Sequence, residues 1–283
     1  MRRLRIVHRT YYNYRAPVRL GAHRLLLRPR EGPELRIEHS QLQTVPAAKI
    51  RWLRDVYDNA VAMASFDASA SQLQILSEVI VEHYDETPLD FLVADEAVNY
   101  PFSYESDTAA VLQPYLIEQP RADAVALREW VARLWQSGEA IQTYGLLERL
   151  CVGIHRTFAY QVREQPGVQT PSETLTRGVG SCRDFSNLFM AAARSLGLAA
   201  RFVSGYLNAP SADGRSGATH AWAEVYLPGA GWKGFDPTIG ELVGSKHIAV
   251  AVARLPAEVP PVSGYYFGPE GAELEVGVWV TAL

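Results

Sequence analysis

The 283-residue sequence contains only two cysteines, Cys151 and Cys182, and no long apolar run. Two cysteines in so long a chain indicate no disulfide scaffold, so each thiol has to be interpreted singly. The longest apolar stretches, 188–193 and 248–253, are far shorter than the roughly 18 residues of a membrane-spanning helix. The basic start of the chain leads into charged and tyrosine-rich sequence rather than into the apolar core of an export signal. We therefore expect a cytoplasmic protein that does not associate with a membrane.

The charges of the chain nearly balance in total but are separated along the sequence. A formal net charge of -4 accompanies an ordinary globular composition, 48% hydrophobic and 20% charged. Residues 1–54 carry 13 basic and 3 acidic side chains, whereas residues 55–124 carry 1 basic and 14 acidic side chains. These blocks are expected either to pair across neighbouring strands or to form a bipolar surface that orients a charged substrate or partner. Because the basic block has no run of lysine and arginine, no nucleic-acid partner is expected.

The first part of the chain has the pattern of an antiparallel β domain. Short runs that favour strands alternate with turn signals, and they predict strands at 4–14, 23–28, 35–44, 50–57, 61–66 and 73–84. Six strands without an intervening helix favour a β-sandwich. Prolines at 101, 114 and 120 then interrupt the pattern. We predict an α+β protein with a β-rich N-terminal domain at residues 1–118 and a second domain at residues 119–283.

Two amphipathic helices are predicted at the start of the second domain. Apolar residues follow helical spacing from Leu127 to Trp135 and again from Leu146 to Ile154. The second stripe places Cys151 on the buried face of its helix. A buried cysteine behaves as a small hydrophobic residue, so we interpret Cys151 as a core thiol.

Two helix-capping patterns lie close together around the other cysteine. A capping box with proline at the first helical position begins at Thr170, and a second capping box begins at Ser181. Cys182 is thereby predicted at the first position of a buried helix, where free N–H groups and the helix dipole stabilise a thiolate. Capping patterns are common and most thiols are structural, so this position alone leaves a structural and a nucleophilic cysteine as equal alternatives.

A histidine and an aspartate follow on strands that can pair. Strands are predicted at 199–207 and 218–227, with a polar loop at 208–217 between them, and His220 lies on the polar face of the second strand. Asp236 ends a third strand that can pair antiparallel with the histidine strand. Taken singly, each is an ordinary structural feature. With Cys182 they have complementary roles, because a carboxylate can orient an imidazole that takes the proton of a thiol. Metal binding by the same groups has less support, since no CxxC or HxxxH spacing is present.

These segments resemble the transglutaminase-like superfamily, and they occur in the order of that family. The motifs that carry the resemblance are Gly178-x-Gly-x-Cys182-x-Asp184, Thr219-His220-Ala221-Trp222-Ala223-Glu224-Val225-Tyr226 and Trp232-x-x-Phe235-Asp236-Pro237-Thr238. The chain is most similar to bacterial members that join a β-rich N-terminal domain to a transglutaminase core and are often described as cysteine proteases. Further similarity to that subgroup lies in His8-x-Thr10-x-Tyr12-x-Tyr14 and in the tail around His247-Ile248 and Pro260-Pro261.

The resemblance implies a papain-like core in which a helix packs on an antiparallel sheet. It implies that Cys182 is the nucleophile, His220 the general base and acid, and Asp236 the orienting carboxylate. The backbone N–H of Cys182 and the aromatic Tyr160 are the candidate oxyanion donors, although Tyr160 is equally a candidate core residue. No calcium-binding clusters like those of large animal transglutaminases are visible, so no cofactor and no metal are expected. At 253–258 the tail lacks the Gly-Arg-Asp-like run that is usual in the subgroup.

The predicted function is that of a thiol enzyme acting on amide bonds of peptides or proteins. A thioester on Cys182 would pass its acyl group to water or to an amine, and the resemblance favours hydrolysis. The same subgroup implies an ATP-dependent ligase-like protein as a companion and a peptide as substrate. The alternative is a non-catalytic interaction module that has kept the transglutaminase-like core as a scaffold.

Overall fold

A computed structural model describes residues 1–84, 89–117, 121–163, 165, 167–208 and 219–283, without the side chains of residues 121–123. The predicted domain boundary near 118, and all but the first residue of the predicted loop at 208–217, lie outside these residues. No helix in the described ranges is long and apolar enough to cross a membrane. In chain order the described elements are β1 (Arg2–Leu25), β2 (Leu35–Val45), β3 (Lys49–Arg54), β4 (Ala60–Ser65), β5 (Ser69–His83), α1 (Asp95–Val98), β6 (Asn99–Tyr100), α2 (Ser106–Leu116), α3 (Arg121–Leu134), β7 (Ile141–Gln142), α4 (Thr143–Thr157), β8 (Ala159–Tyr160), α5 (Pro171–Arg177), β9 (Val179–Gly180), α6 (Cys182–Ser195), β10 (Ala200–Leu207), β11 (His220–Leu227), β12 (Gly231–Asp236), β13 (Glu241–Leu242), β14 (His247–Ala253), a 3-10 turn (Pro256–Glu258), β15 (Val262–Phe267) and β16 (Ala272–Ala282).

The N-terminal strands form one curled antiparallel sheet around the 24-residue strand β1. The order is β2-β5-β1-β4-β3, and the C-terminal strands β15 and β16 also pair with β1. Two separate strands were predicted where β1 runs unbroken, and the predicted strand at 73–84 is the last part of β5. The protein is therefore a mixed α/β fold with a curled antiparallel sheet, while the finer prediction of a two-sheet sandwich stays a prediction.

Different parts of the long strand β1 pair with different strands. Residues 2–13 of β1 pair with β5 and residues 4–14 pair with β16, whereas residues 19–25 pair with β15 and residues 23–25 with β4. Pro17, which has no N–H to donate, lies where the register between β1 and β5 shifts, between Asn13 and Val18. A bulge of this kind bends a strand and increases its twist. The interruption is consistent with the curl of the sheet.

Charges of the basic block meet charges of the acidic block across the strands. Arg5 Nε lies 2.8 Å from Glu78 Oε1, and Arg24 Nη2 lies 2.8 Å from Asp55 Oδ2. Lys49 makes a similar pair with an acidic residue of the second block. Exposed pairs of this kind contribute little to stability individually. Of these pairs, the one between Arg5 and Glu78 joins the paired strands β1 and β5, as the first of the two interpretations expects.

The second sheet and its helices form the larger core of the protein. The strand order is β13-β12-β11-β10-β14, and helix α6 packs against β11 and β10. Small and apolar residues of β11 face α6, and the stripe of α4 packs beside them; the buried members include Leu147, Leu150, Cys151, Ile154, Phe185, Leu188, Phe189, Ala221, Ala223 and Val225. Both predicted amphipathic helices are therefore confirmed as α3 and α4, and Cys151 is buried as expected.

The N-terminal sheet packs on the β10–β14 edge of the second sheet. A shared apolar cluster joins Leu4, Val79 and Val81 to Tyr206 and Ile248. The same contact has a polar centre: Nδ1 of His8 lies 3.0 Å from the Tyr206 hydroxyl. Burial lowers the pKa of His8 to about 4, so this ring is neutral at physiological pH. Strand β14, which carries His247, is the edge strand of the second sheet and packs against the N-terminal sheet.

Candidate active site

Helix α6 begins at Cys182 because the residues before it form a tight, well-capped connection. In the box at α5, Thr170 Oγ1 accepts from the Glu173 N–H at 3.2 Å, and the Glu173 carboxylate accepts from the Thr170 N–H at 2.8 Å. Gly178 then ends α5 with a φ of 70°, a left-handed conformation that glycine adopts without strain. Ser181 is the N-cap of α6. The predicted position of Cys182, first in a buried helix, is confirmed.

The buried carboxylate of Asp184 fixes the start of that helix. Its Oδ2 accepts hydrogen bonds from the N–H and the hydroxyl of Ser181, both at 2.8 Å. Its Oδ1 accepts from Arg163 Nη1 and from the Gln169 N–H, both at 2.7 Å. Burial raises the pKa of Asp184, but these hydrogen bonds outweigh it and the pKa is lowered. An ionised carboxylate in the first turn of α6 therefore holds the Arg163 side chain and the Gln169 backbone against the start of the helix.

His220 and Asp236 are brought together by adjacent strands. β11 and β12 pair antiparallel, with Ala223 opposite Phe235, as the sequence predicted. His220 Nε2 lies 2.6 Å from Oδ2 of Asp236. The other oxygen, Oδ1, accepts from the Thr238 N–H at 2.9 Å. Each oxygen of this carboxylate therefore has a hydrogen-bond partner, and the residue is 0% exposed.

Cys182 lies beside the same imidazole. Burial lowers the pKa of His220, but the hydrogen bond with Asp236 and the interaction with Cys182 outweigh it and raise the pKa to about 10. Since Nε2 is held by Asp236, Nδ1 is the ring nitrogen left to exchange a proton with the thiol. The structure thus brings together the three residues that the sequence singled out. Their arrangement can support a thiolate–imidazolium pair with a carboxylate behind it.

A second histidine, His247, contacts the same carboxylate. Its Nε2 lies 3.1 Å from Oδ2 of Asp236, and its Nδ1 accepts from the Gly244 N–H at 3.3 Å. Burial raises the pKa of Asp236, yet the hydrogen bonds from His220 and His247 outweigh it and hold the pKa well below its usual range. Sequence reasoning noted His247 only as part of a similar tail. No local pattern shows that β14 returns beside β10 and brings this ring to the aspartate.

The same three side chains are the group in the described residues that could hold a metal ion. Ligand atoms of His220, Asp236 and His247 lie within 4.8 Å of one another. Zinc contacts nitrogen and oxygen ligands at about 2.0–2.2 Å and takes a lone pair from each. Because the Gly244 N–H already uses the lone pair of Nδ1, a neutral His247 has its proton on Nε2, the atom that faces Asp236. The donor arrangement fits hydrogen bonds better than metal coordination.

Tyr160 lies next to the cysteine but is not a core residue. It pairs with Gly180 in the short parallel contact between β8 and β9. It is 52% exposed, so the alternative of a core aromatic is wrong. Burial of part of the ring, together with the nearby Cys182 and Asp236, raises the pKa of its hydroxyl. Its role as an oxyanion donor remains a prediction.

The second cysteine is placed where it cannot act as a nucleophile at neutral pH. The Cys151 thiol is buried and donates weakly to the carbonyl of Glu241 at 3.8 Å. Burial, and then the charge of Asp236, raises the pKa of this thiol far above its ordinary value. The two cysteines therefore differ in environment, and Cys151 can serve as an internal reference for the reactivity of Cys182.

Comparison with known proteins agrees with this arrangement. The sequence model of the transglutaminase-like superfamily matches residues 120–237, and that of the bacterial transglutaminase-like N-terminal region matches residues 4–82. Protein Mb2599c of Mycobacterium bovis is 30% identical over 295 residues, which cover 98% of this chain and 91% of that protein. Protein ML0607 of Mycobacterium leprae is 26% identical over 293 residues, which cover 100% of both chains.

The fold has a solved counterpart. The crystal structure of a "putative cysteine protease" from Cytophaga hutchinsonii matches with a TM-score of 0.73 and 19% identity, over 100% of this chain and 91% of that chain. At this level of identity the likeness is one of fold alone. The matches along the sequence show that this chain belongs to the transglutaminase-like superfamily.

Proposed function

We propose that this protein is a thiol enzyme that acts on amide bonds of peptides or proteins through a thioester on Cys182. The observation that carries the proposal is the 2.6 Å contact between His220 and a fully buried Asp236, with Cys182 near enough to the imidazole to raise its pKa. A carboxylate held in this way stabilises a protonated imidazole, and the imidazolium in turn stabilises a thiolate. Cys182 also lies at the positive end of the α6 dipole.

The proposed acylation follows from these positions. The Cys182 thiol passes its proton to Nδ1 of His220, and the thiolate attacks the amide carbonyl carbon to form the C–S bond. Negative charge then develops on the carbonyl oxygen, where the N–H of Cys182 and Tyr160 are the proposed donors. As the C–N bond breaks, the leaving amine takes the proton from His220. The product is a thioester on Cys182 and a neutral imidazole.

Deacylation repeats these steps in the opposite direction. Water or an amine loses a proton to His220 as it attacks the thioester carbon, and the C–S bond breaks to give a thiolate that recovers that proton. The acceptor alone decides whether the outcome is hydrolysis or acyl transfer. We propose hydrolysis, on the similarity of the chain to bacterial members described as cysteine proteases. On the same similarity, we propose a peptide substrate and a ligase-like companion protein. We also propose the cytoplasmic location that the sequence pattern predicts.

The reactivity of Cys182 tests the proposal without knowledge of the substrate. Iodoacetamide at pH 6 should label Cys182 much faster than Cys151, as measured by intact mass and peptide mapping, because only a stabilised thiolate reacts at that pH. The variant Cys182→Ser should lose the fast label, and Cys151→Ser should keep it. Equal and slow labelling of both cysteines would instead favour a non-catalytic interaction module.

The substrate can then be sought by trapping. Incubation with a peptide mixture, followed by acid quench and intact-mass analysis, should reveal an acyl adduct that maps to Cys182 and is absent from Cys182→Ser. The mass of the adduct identifies the acyl group. Release of the adduct in water, compared with release after addition of a primary amine, separates hydrolysis from acyl transfer.

A further inference from the structure

His247 is buried where strand β14 meets Trp222 of β11 and His83 of β5. It is the first residue of β14, it is 4% exposed, and its ring packs edge-on against Trp222 with 5.2 Å between ring centroids. Its backbone carbonyl accepts a hydrogen bond from His83 Nε2 at 3.0 Å, and His83 belongs to strand β5 of the N-terminal sheet. Backbone and ring are thus both restrained.

The hydrogen bonds of the ring determine where its proton lies. A backbone N–H can only donate, so the contact of 3.3 Å from Gly244 requires a lone pair on Nδ1 of His247. The proton of the neutral ring is then on Nε2, which points at Oδ2 of Asp236 from 3.1 Å. His247 is therefore a fixed donor to the oxygen that also binds His220 at 2.6 Å.

This donor completes the set that orients the carboxylate. Without it, Asp236 would keep the Thr238 N–H on Oδ1 and the His220 ring on Oδ2. The Oδ2 atom would then have His220 as its single donor, and that ring has to exchange protons during the proposed reaction. A second donor that takes no part in proton exchange keeps Oδ2 in place when the charge of His220 changes.

We propose that His247 is a positioning residue: through its Nε2–H it holds Asp236 in the orientation that sets the His220 ring against Cys182, and through His83 it ties this geometry to the N-terminal sheet. The inference rests on the proposed function, since it assigns a role within the same site. It goes beyond a role in packing, because it requires a hydrogen-bond donor at one defined atom. Packing against Trp222 alone would make no such demand.

Two amide substitutions separate the donor from the packing. In His247→Gln the side-chain amide reaches about as far as Nε2 and can donate to Asp236. In His247→Asn the amide lies near the position of Nδ1, so it can meet Gly244 but cannot reach the carboxylate. The control is His39→Asn, which makes the same substitution at an exposed histidine of β2. The measurement is the second-order rate of iodoacetamide labelling of Cys182 from pH 5 to pH 10, with urea unfolding of each variant.

We expect His247→Asn to lose at least tenfold in labelling rate at pH 6, His247→Gln to stay within about threefold of the parent, and His39→Asn to be unchanged. The pH above which Cys182 is labelled fast should move to a higher value in the Asn variant and return to the parent value in the Gln variant, because a less stable imidazolium stabilises the thiolate less. Equal losses in the Gln and Asn variants, or no loss in either, would overturn the proposal. Slow labelling of Cys182 in the parent protein would instead refute the proposed function itself.

A measurement on the unmodified protein covers the case in which the Asn variant does not fold. Nitrogen-15 NMR of labelled histidine distinguishes a protonated from an unprotonated ring nitrogen. We expect His247 to carry its proton on Nε2 at pH 7, with a coupling to Asp236, and assignment by His247→Gln identifies the signal. A proton on Nδ1 of His247 would overturn the proposal.

Discussion

The substitution Asp236→Asn gives the sharpest test of the site, because the surroundings allow the amide only one orientation. The Thr238 N–H approaches Oδ1 at 2.9 Å, and an NH2 group cannot accept a hydrogen bond. The oxygen of Asn must therefore remain at Thr238, and its NH2 group must face the Nε2 atoms of His220 and His247. His220 would then have to accept at Nε2 and carry its proton on Nδ1. In that tautomer it cannot take the proton of Cys182.

The size of the effect follows from the charge that is lost. The pKa of His220 is raised from 6.5 to about 10, with Asp236 the first of the groups that raise it and Cys182 the second. At about 1.4 kcal/mol per pKa unit, this net shift favours the imidazolium by about 5 kcal/mol even though burial opposes it, and we expect the loss of the Asp236 charge to remove about 3 kcal/mol of it. We expect labelling of Cys182 at pH 6 to fall about 10²-fold. Turnover, which also needs the correct tautomer, should fall about 10³- to 10⁴-fold.

The assay compares Asp236→Asn with Asp107→Asn, an exposed residue of α2. Iodoacetamide labelling is followed by intact mass between pH 5 and pH 10, with Cys151 as the internal reference, and circular dichroism reports whether each variant is folded. If His220 adopts the wrong tautomer, Cys182 should be labelled slowly although the Asp236→Asn protein is folded. A folded Asp236→Asn protein that labels and turns over within threefold of the parent would show that Asp236 has no part in the mechanism.

Four further outcomes are expected. The proton of His220 is bound more tightly than usual and leaves only as the pH rises through about 10, so the rate of amide turnover should decline only near that pH. A decline centred near pH 7 would contradict the raised pKa of His220. Tyr160→Phe should lower kcat about 10²-fold with little change in KM if the hydroxyl binds the oxyanion, whereas an unchanged kcat would remove this role. The buried carboxylate of Asp184 accepts four hydrogen bonds, so Asp184→Asn should lower the free energy of unfolding in urea by about 3–5 kcal/mol. An unchanged midpoint would contradict the anchoring role. Dialysis against a chelator should leave the labelling rate of Cys182 within twofold, and a loss that added zinc or calcium restores would reverse the assignment of His220, Asp236 and His247 as hydrogen-bonding groups.

Features that depend on neighbours in the sequence were predicted most closely. The capping box at Ser181 and the glycines before it place Cys182 at a helix start, and a helix start is a local property. The pairing of β11 with β12 was also predictable, because only three residues separate the two strands. These two local features supply most of the candidate site.

Features that depend on distant parts of the chain were missed. Strand β1 was predicted in two pieces, because Pro17 and Gly21 resemble turn residues; the structure accommodates Pro17 at a change of register and Gly21 against the ring of Tyr265. The pairing of β1 with β15 and β16 has no local signal. The same holds for His247, whose role depends on where β14 meets β10.

The pairing of the first strand with the last ones has a consequence for biosynthesis. Residue Leu4 is opposite Ala282, and the N–H of Leu283 donates to the carbonyl of Arg3 at 2.9 Å. During synthesis β1 can pair with β5 early, but the edge of β1 that pairs with β16 stays open until residues 272–282 have been made. Contacts of such long sequence separation form slowly, and an open strand edge can pair with other chains meanwhile. A chain arrested before β16 should therefore be prone to aggregation, because this edge of β1 would have no partner strand.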